Sequence, residues 1–299
     1  MNSQSSADTA SLIQGFLWMG GAVLSFLFMA IAGRELSDTM NTFEIMTFRT
    51  IVALAITIIF VMRGGWQEIR TERLPLHLLR NIFHFGGQFG WFLGISLLPL
   101  ATVFALEFTI PIWAALLAVV VLRERLHHAR IIAIICGIGG VLIILKPGSE
   151  VIDLSSLIVV GAAFGYAVSY IASKPLVATD SPLAILFYMN LIQLPLGLIP
   201  AAFSWVPPTM GDVPWIALVG VTGLTAHYCI TRAFMVADTL TVIPLDFLRL
   251  PMIAVIGFFF YQESIELALF AGAVVIFAGN YYNIRYEAKL ISSPEKSEK

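Results

Sequence analysis

Ionisable side chains are scarce in this chain, and several of them sit inside long apolar runs. Arg80, His84 and Gln88 recur at i, i+4 and i+8, a spacing that puts them on one face of a helix. Glu107 stands one helical turn before Pro111, where the missing backbone donor loosens a helix. Asp246 and Arg249 are three residues apart between Pro244 and Pro251, close enough on a helix to pair. His227, Thr231 and Arg232 form another polar group. Tyr166, Ser169, Tyr170 and Ser173 repeat at helical spacing, and Asn190 with Gln193 makes a weaker polar pair. Arg49 has no partner visible in the sequence. A charge inside a membrane span costs about 2.5–3.5 kcal/mol on insertion scales, and such residues usually face the bundle interior or a wet cavity. The chemistry on offer is binding. The arginines suit an anionic group, the carboxylates suit an amine or a proton, and the tyrosines suit hydroxyl groups or a ring. Glu107 and Asp246 are the candidates for proton coupling.

Each group also has a packing explanation. Arg80 can reach the headgroups from a helix end, while His84 and Gln88 hydrogen-bond to a neighbouring helix. Glu107 can form an ion pair with Arg80 or Arg49, and Asp246 can simply neutralise Arg249. The Tyr/Ser face can be a small-residue seam beside Gly161 and Gly165. Catalytic patterns are missing: there is no HExxH, and His127 and His128 are adjacent, so they cannot share a helical face. The Gly-rich stretches 137–140 and 269–279 lack the strand–helix context and the Lys-Ser/Thr of a phosphate loop. Cys136 and Cys229 fall within apolar runs and imply neither a disulfide framework nor a metal site. No cofactor and no nucleic-acid partner is expected.

These residues need elements to position them. Hydrophobic residues make up 59 % of the chain and charged residues 12 %, against about 45–50 % and about 25 % in soluble domains. The apolar runs are continuous rather than alternating, which predicts helices rather than a membrane barrel. A helix needs about 20 apolar residues to cross a bilayer. Ten runs qualify as candidate spans, at about 13–33, 44–62, 76–97, 100–121, 129–146, 155–173, 183–203, 213–235, 238–260 and 266–284. The first dozen residues carry no Lys or Arg, so the first run reads as a retained span rather than a secretory signal. The C-terminal SSPEKSEK reads as a disordered tail. With both termini cytoplasmic, eleven Lys and Arg residues fall in inner loops and tails. Only Arg34 and Lys146 fall in outer loops, as the positive-inside rule requires.

An offset of 139 residues brings Glu107 onto Asp246, Glu124 onto Glu263, Gln88 onto His227 and Gly140 onto Gly279, with Pro111 and Pro251 one position out of register. Two halves of five spans each, an odd number, must enter the membrane from opposite sides. Such inverted repeats are a signature of secondary transporters, whose substrate site lies at the repeat interface near the midplane.

At this point the chain resembles the drug/metabolite transporter superfamily, in its EamA-like branch. The matching residues are LPLATVFALEFTIPIWAALLAVVVLRERL at 98–126 and GIGGVLIILKPG at 137–148, with a weaker copy at 237–279. The second copy has FYQESI in place of the LRERL turn and keeps only Glu263 from it. Position 107, usually small or apolar in that family, is Glu here. The resemblance implies an all-α membrane fold of ten helices, two inverted five-helix repeats (13–146 and 155–284) around a central cavity, flanked by cytoplasmic tails 1–12 and 285–299. It implies a secondary transporter of the cytoplasmic (inner) membrane working by alternating access. The mixed charges inside the spans suggest a zwitterionic or carboxylate-bearing metabolite, such as an amino-acid derivative or a vitamin-like heteroaromatic. The expected substrate-binding set is Arg80, His84, Gln88, Glu107, Tyr166, Tyr170, Asn190, His227, Asp246 and Arg249. Expected partners are the small-molecule substrate, the lipid bilayer, and protons or a counter-substrate. A monomer suffices, and a weak dimer is compatible. The competing readings are an intramembrane enzyme, for which no nucleophile–base pair is found, and a channel or sensory protein, for which no filter sequence is found.

Overall fold

The computed structural model describes residues 2–121, 127–146, 154–237 and 245–292. All regular structure among them is helical: α1 (Asn2–Ser37), α2 (Thr42–Gly64), a short 3-10 turn (Trp66–Ile69), α3 (Leu74–Leu97), α4 (Leu100–Glu107), α5 (Ile110–Val121), α6 (His128–Leu145), α7 (Leu154–Val177), α8 (Pro182–Ala201), α9 (Val213–Val236), α10 (Arg249–Tyr261) and α11 (Leu267–Ser292). Eight helices among the described residues are long and apolar enough to cross a membrane, with α4 and α5 together forming one of them. Helix α3 has the length, but Arg80, Asn81, His84 and Gln88 dilute its apolar character. Helix α10 is apolar but has only 13 residues. Large apolar side chains such as Phe259 and Phe260 are 72 % and 78 % exposed, the arrangement expected of a lipid-facing surface.

Local chemistry sets the helix ends. Asn41 and Glu44 form a reciprocal capping box at the start of α2, which satisfies two otherwise orphaned donors. Ser181 caps α8 ahead of Pro182. Pro99 holds Leu98 in extended backbone and separates α3 from α4, as a residue preceding proline prefers. Helix α11 runs on to Ser292, past the expected start of the C-terminal tail at 285. Its extension, RYEAKL, is built of residues that tolerate a helix, and the first proline comes only at 294. The turn at 122–126 with Glu124, and Pro244 before α10, lie outside the described residues.

The internal repeat survives in the helix ends. Shifted by 139 positions, the ends of α3 fall on Val213 and Val236, the ends of α9, and the start of α6 falls on Leu267. Neighbour relations also exchange. Helix α1 packs on α9 as α3 packs on α7, and α2 on α9 as α3 on α8. Helices α2 and α8, and α6 and α11, meet their own counterparts, while α4 meets α10, the counterpart of α5. The α6–α11 contact is made of glycines. A Cβ built on Gly140 would lie 2.6 Å from the Gly272 carbonyl, and one on Gly272 would lie 2.6 Å from the Gly140 carbonyl. Small residues thus bring the two backbones together, a common device between membrane helices.

Candidate functional site

The site is built where helices break. The fourth expected span does not run through; it stops at Glu107 and restarts at Ile110. Pro111 has no N–H to return to the Glu107 carbonyl. Ile112 N and Trp113 N both bond to Thr109 O, which leaves the Phe108 carbonyl free of the helix ladder. Asn280 Nδ2 on α11 donates to that carbonyl at 3.2 Å. The second half has the same break. Residues 245–246 are helical, Phe247 and Leu248 form a turn, and α10 starts at Arg249. The two turns meet, with the rings of Phe108 and Phe247 4.2 Å apart between centroids.

Both acids at these breaks reach one guanidinium. Arg249 Nη2 donates to Asp246 Oδ2 at 2.6 Å, and Nη1 donates to Glu107 Oε1 at 3.3 Å. Trp91 Nε1 donates to the other Glu107 oxygen at 2.8 Å. The guanidinium carbon lies 4.5 Å from the Phe26 ring centroid, 5.7 Å from that of Phe104 and 5.3 Å from that of Phe108, within cation–π range. Side-chain exposure is 5 % for Arg249, 11 % for Glu107 and 23 % for Asp246. Asp246 Oδ1 has no hydrogen-bond partner among the described residues.

A second polar group adjoins the first through Phe26, whose ring meets His227 edge-on at 6.2 Å. His227 lies 5.7 Å from His84, and His84 meets Tyr166 edge-on at 5.4 Å. His84 Nδ1 and Gln193 Nε2 are 2.9 Å apart. Arg49 is buried and donates to Gln88 Oε1 at 3.1 Å. Its guanidinium packs against Gly223, where a Cβ would come within 2.7 Å of Nε. Arg80 donates to Ser173 Oγ and Asn81 Oδ1. Tyr170 is half-exposed and lies in electrostatic range of Glu107, Arg249, Asp246 and Arg80.

Nine of the ten expected residues are therefore linked into one region. Asn190 is the exception: it is buried, and its amide donates to Leu186 O of its own helix. One pairing differs from expectation: Glu107 meets Arg249 rather than Arg80 or Arg49. The breaks after Glu107 and after Asp246 are neighbours, and the two acids converge on one cation. The roles of Phe26, Phe104 and Phe108 carry no signal in the sequence beyond apolarity.

Two polar clusters lie at the ends of the bundle. On the face bearing Arg34, Glu263 Oε2 accepts from Leu100 N at 2.8 Å and Oε1 from Arg34 at 3.1 Å, while Arg34 also donates to Leu98 O. The Glu263 carboxylate thus caps α4, which belongs to the other half. Burial raises the Glu263 carboxyl above its ordinary pKa, opposed by the Leu100 N–H and Arg34. A cavity of about 420 Å³ lies beside this latch, lined in part by Thr102, Lys146, Glu263 and Glu266. At the other end His77 Nε2 and Asp180 Oδ2 are 2.7 Å apart, with Thr179 donating to Oδ1. Burial pushes the Asp180 carboxyl up, but hydrogen bonds from Thr71, His77 and Thr179 outweigh it, and its pKa falls below the ordinary carboxylate value.

Known proteins with this pattern exist. The profile of the EamA-like transporter family matches residues 13–146 and again 154–285. The chain belongs to the EamA-like transporter family. Among curated members of the superfamily, it is 30 % identical over 285 residues to a riboflavin transporter of Vibrio cholerae serotype O1, covering 93 % of this chain and 95 % of that one. It is 27 % identical over 278 residues to an S-adenosylmethionine uptake transporter of Rickettsia bellii, covering 93 % and 96 %. One solved crystal structure shares the fold with a TM-score of 0.65 at 17 % identity, over 92 % of this chain and 98 % of that one. Within this EamA-like chain the two family segments meet at the Glu107–Arg249–Asp246 cluster.

Proposed function

We propose that this chain is a secondary transporter that carries a small zwitterionic or carboxylate-bearing metabolite across the cytoplasmic membrane by alternating access. The observation that carries the reading is the ion cluster Glu107–Arg249–Asp246, set where one helix in each half is broken. Broken helices at a repeat interface are where transporters of this kind hold their cargo. Relatives named for S-adenosylmethionine and riboflavin uptake agree with a polar metabolite bearing a heteroaromatic ring. On this reading α3 and the segment ending in α10 also span, which gives ten crossings in two inverted five-helix repeats, with both termini cytoplasmic. The exchange of neighbours between the halves supports that arrangement.

The site then has two poles. Arg49 and Arg80, with His84, Gln88, Gln193 and His227, form the pole for a carboxylate or a ring's polar edge. Tyr166 and Tyr170 line its wall. Glu107 and Asp246 form the pole for an amino group, another cation, or a proton. The test is uptake and counterflow of S-adenosylmethionine and of riboflavin in proteoliposomes. Wild-type protein should move at least one of them, and Glu107→Gln and Asp246→Asn should reduce the rate by more than about tenfold at equal reconstitution, the scale of a lost charge-assisted contact. Unchanged uptake in both variants overturns the role given to the acids.

A further inference from the structure

The Arg249 guanidinium stands in a container suited to a different kind of cation. Three ring faces and two carboxylates surround it, and only two of its hydrogen bonds go to those carboxylates, one of them at 3.3 Å. Aromatic walls with adjacent anions are the recognition chemistry of organic cations that lack N–H donors, such as quaternary ammonium and sulfonium groups. Two carboxyl groups share one guanidinium, and Asp246 Oδ1 has no partner among the described residues. The box therefore attracts a further cation while the chain's own side chain fills it. Asp246, the more exposed acid, is the side from which an incoming group arrives.

We propose that Arg249 is a tethered stand-in for the cationic end of the substrate, and that a sulfonium- or quaternary-ammonium-bearing metabolite enters by displacing its guanidinium from the Phe26–Phe104–Phe108 box. The proposal rests on the transporter reading above and narrows its substrate to organic cations that carry a separate anionic or polar end. Exchange of one cation for another keeps a positive charge between the two acids through the cycle. It also makes Arg249 a competitor of the substrate: its removal strengthens cation binding. Isolated loss of a positive charge elsewhere in the site does not have this effect.

The experiment measures trimethylsulfonium binding to detergent-solubilised full-length protein by calorimetry. Arg249→Ala should bind it at least about tenfold more tightly than wild type, the scale of a desolvated cation–π contact. Arg80→Ala, which removes a nearby positive charge outside the box, should show no comparable gain. Adding Phe108→Leu to Arg249→Ala should abolish the gain. Arg249→Ala/Asp246→Asn, which keeps the net charge of the box, should retain a several-fold gain through Glu107 and the rings, and it serves where the single variant does not fold. Equal affinities in the Arg249 and Arg80 variants, or in the double variant and wild type, overturn the proposal. Proteoliposome uptake that depends on Glu107 and Asp246 without any such gain would leave the transporter reading standing and remove this one alone.

Discussion

The two broken helices make an informative pair. In the first half the break reads Glu107–Phe108–Thr109–Ile110; in the second it reads Asp246–Phe247–Leu248–Arg249. Acid and phenylalanine keep their places, so repeat symmetry supplies two carboxylates and a pair of touching rings. The next helix opens with isoleucine in one half and arginine in the other. Symmetry thus builds the scaffold and the anions, and a single departure from it supplies the counter-ion. Supports differ too: Glu107 has the Trp91 indole as a donor, whereas the position equivalent to Trp91 in the second half is Ile230, which has nothing to donate.

Making the halves alike should have the largest effect. Arg249→Ile copies the first half into the second and leaves two buried acids without their cation, a loss of about 3–5 kcal/mol. The readout is denaturant unfolding in detergent, and Arg249→Ile/Asp246→Asn should recover part of the loss. Trp91→Phe removes the donor that distinguishes Glu107 from Asp246 and should cost about 1.5–3 kcal/mol, the range for a hydrogen bond to a charged group. A result near zero would mean that the two acids are equivalently held. Away from the site, Gly272→Ala forces a methyl against the Gly140 carbonyl and should cost about 1–3 kcal/mol by overpacking. Gly139→Ala is the control, since a Cβ there meets nothing within 4 Å, and it should leave the melting temperature unchanged.

The smallest effect is a pH response at the bundle end. The Asp180 carboxyl is held below its ordinary value, so the stability it contributes is present above the unfolded carboxylate pKa of about 3.9 and is lost as pH falls through the lower folded value. Asp180→Asn should flatten that part of an acid unfolding curve and change nothing near neutrality through titration.

Much of the candidate site was legible because charge is costly in an apolar run. Glu107, Asp246 and Arg249 stand out for that reason alone, and the Asp246–Arg249 pairing follows from a spacing of three. Pro111 announced the break in α4. What could not be read was the rotation of one helix against another. Glu107 bonds to a residue 142 positions away, and no spacing within either half encodes that contact. Phe26, Phe104 and Phe108 look like any other core residues until a guanidinium is found among them. The fold was legible in its periodicity: the offset of 139 residues found in side chains reappears in helix ends.

The glycine contact between α6 and α11 has an evolutionary consequence. These helices are counterparts, and they meet each other where a two-fold axis would pass. Two identical five-helix chains inserted in opposite orientations and related by a two-fold axis would form this contact from one helix and its own copy, the isologous interface of a homodimer. Such a dimer must carry an arginine at both breaks or at neither. With both halves on one chain that constraint does not apply, and one cation can serve two acids.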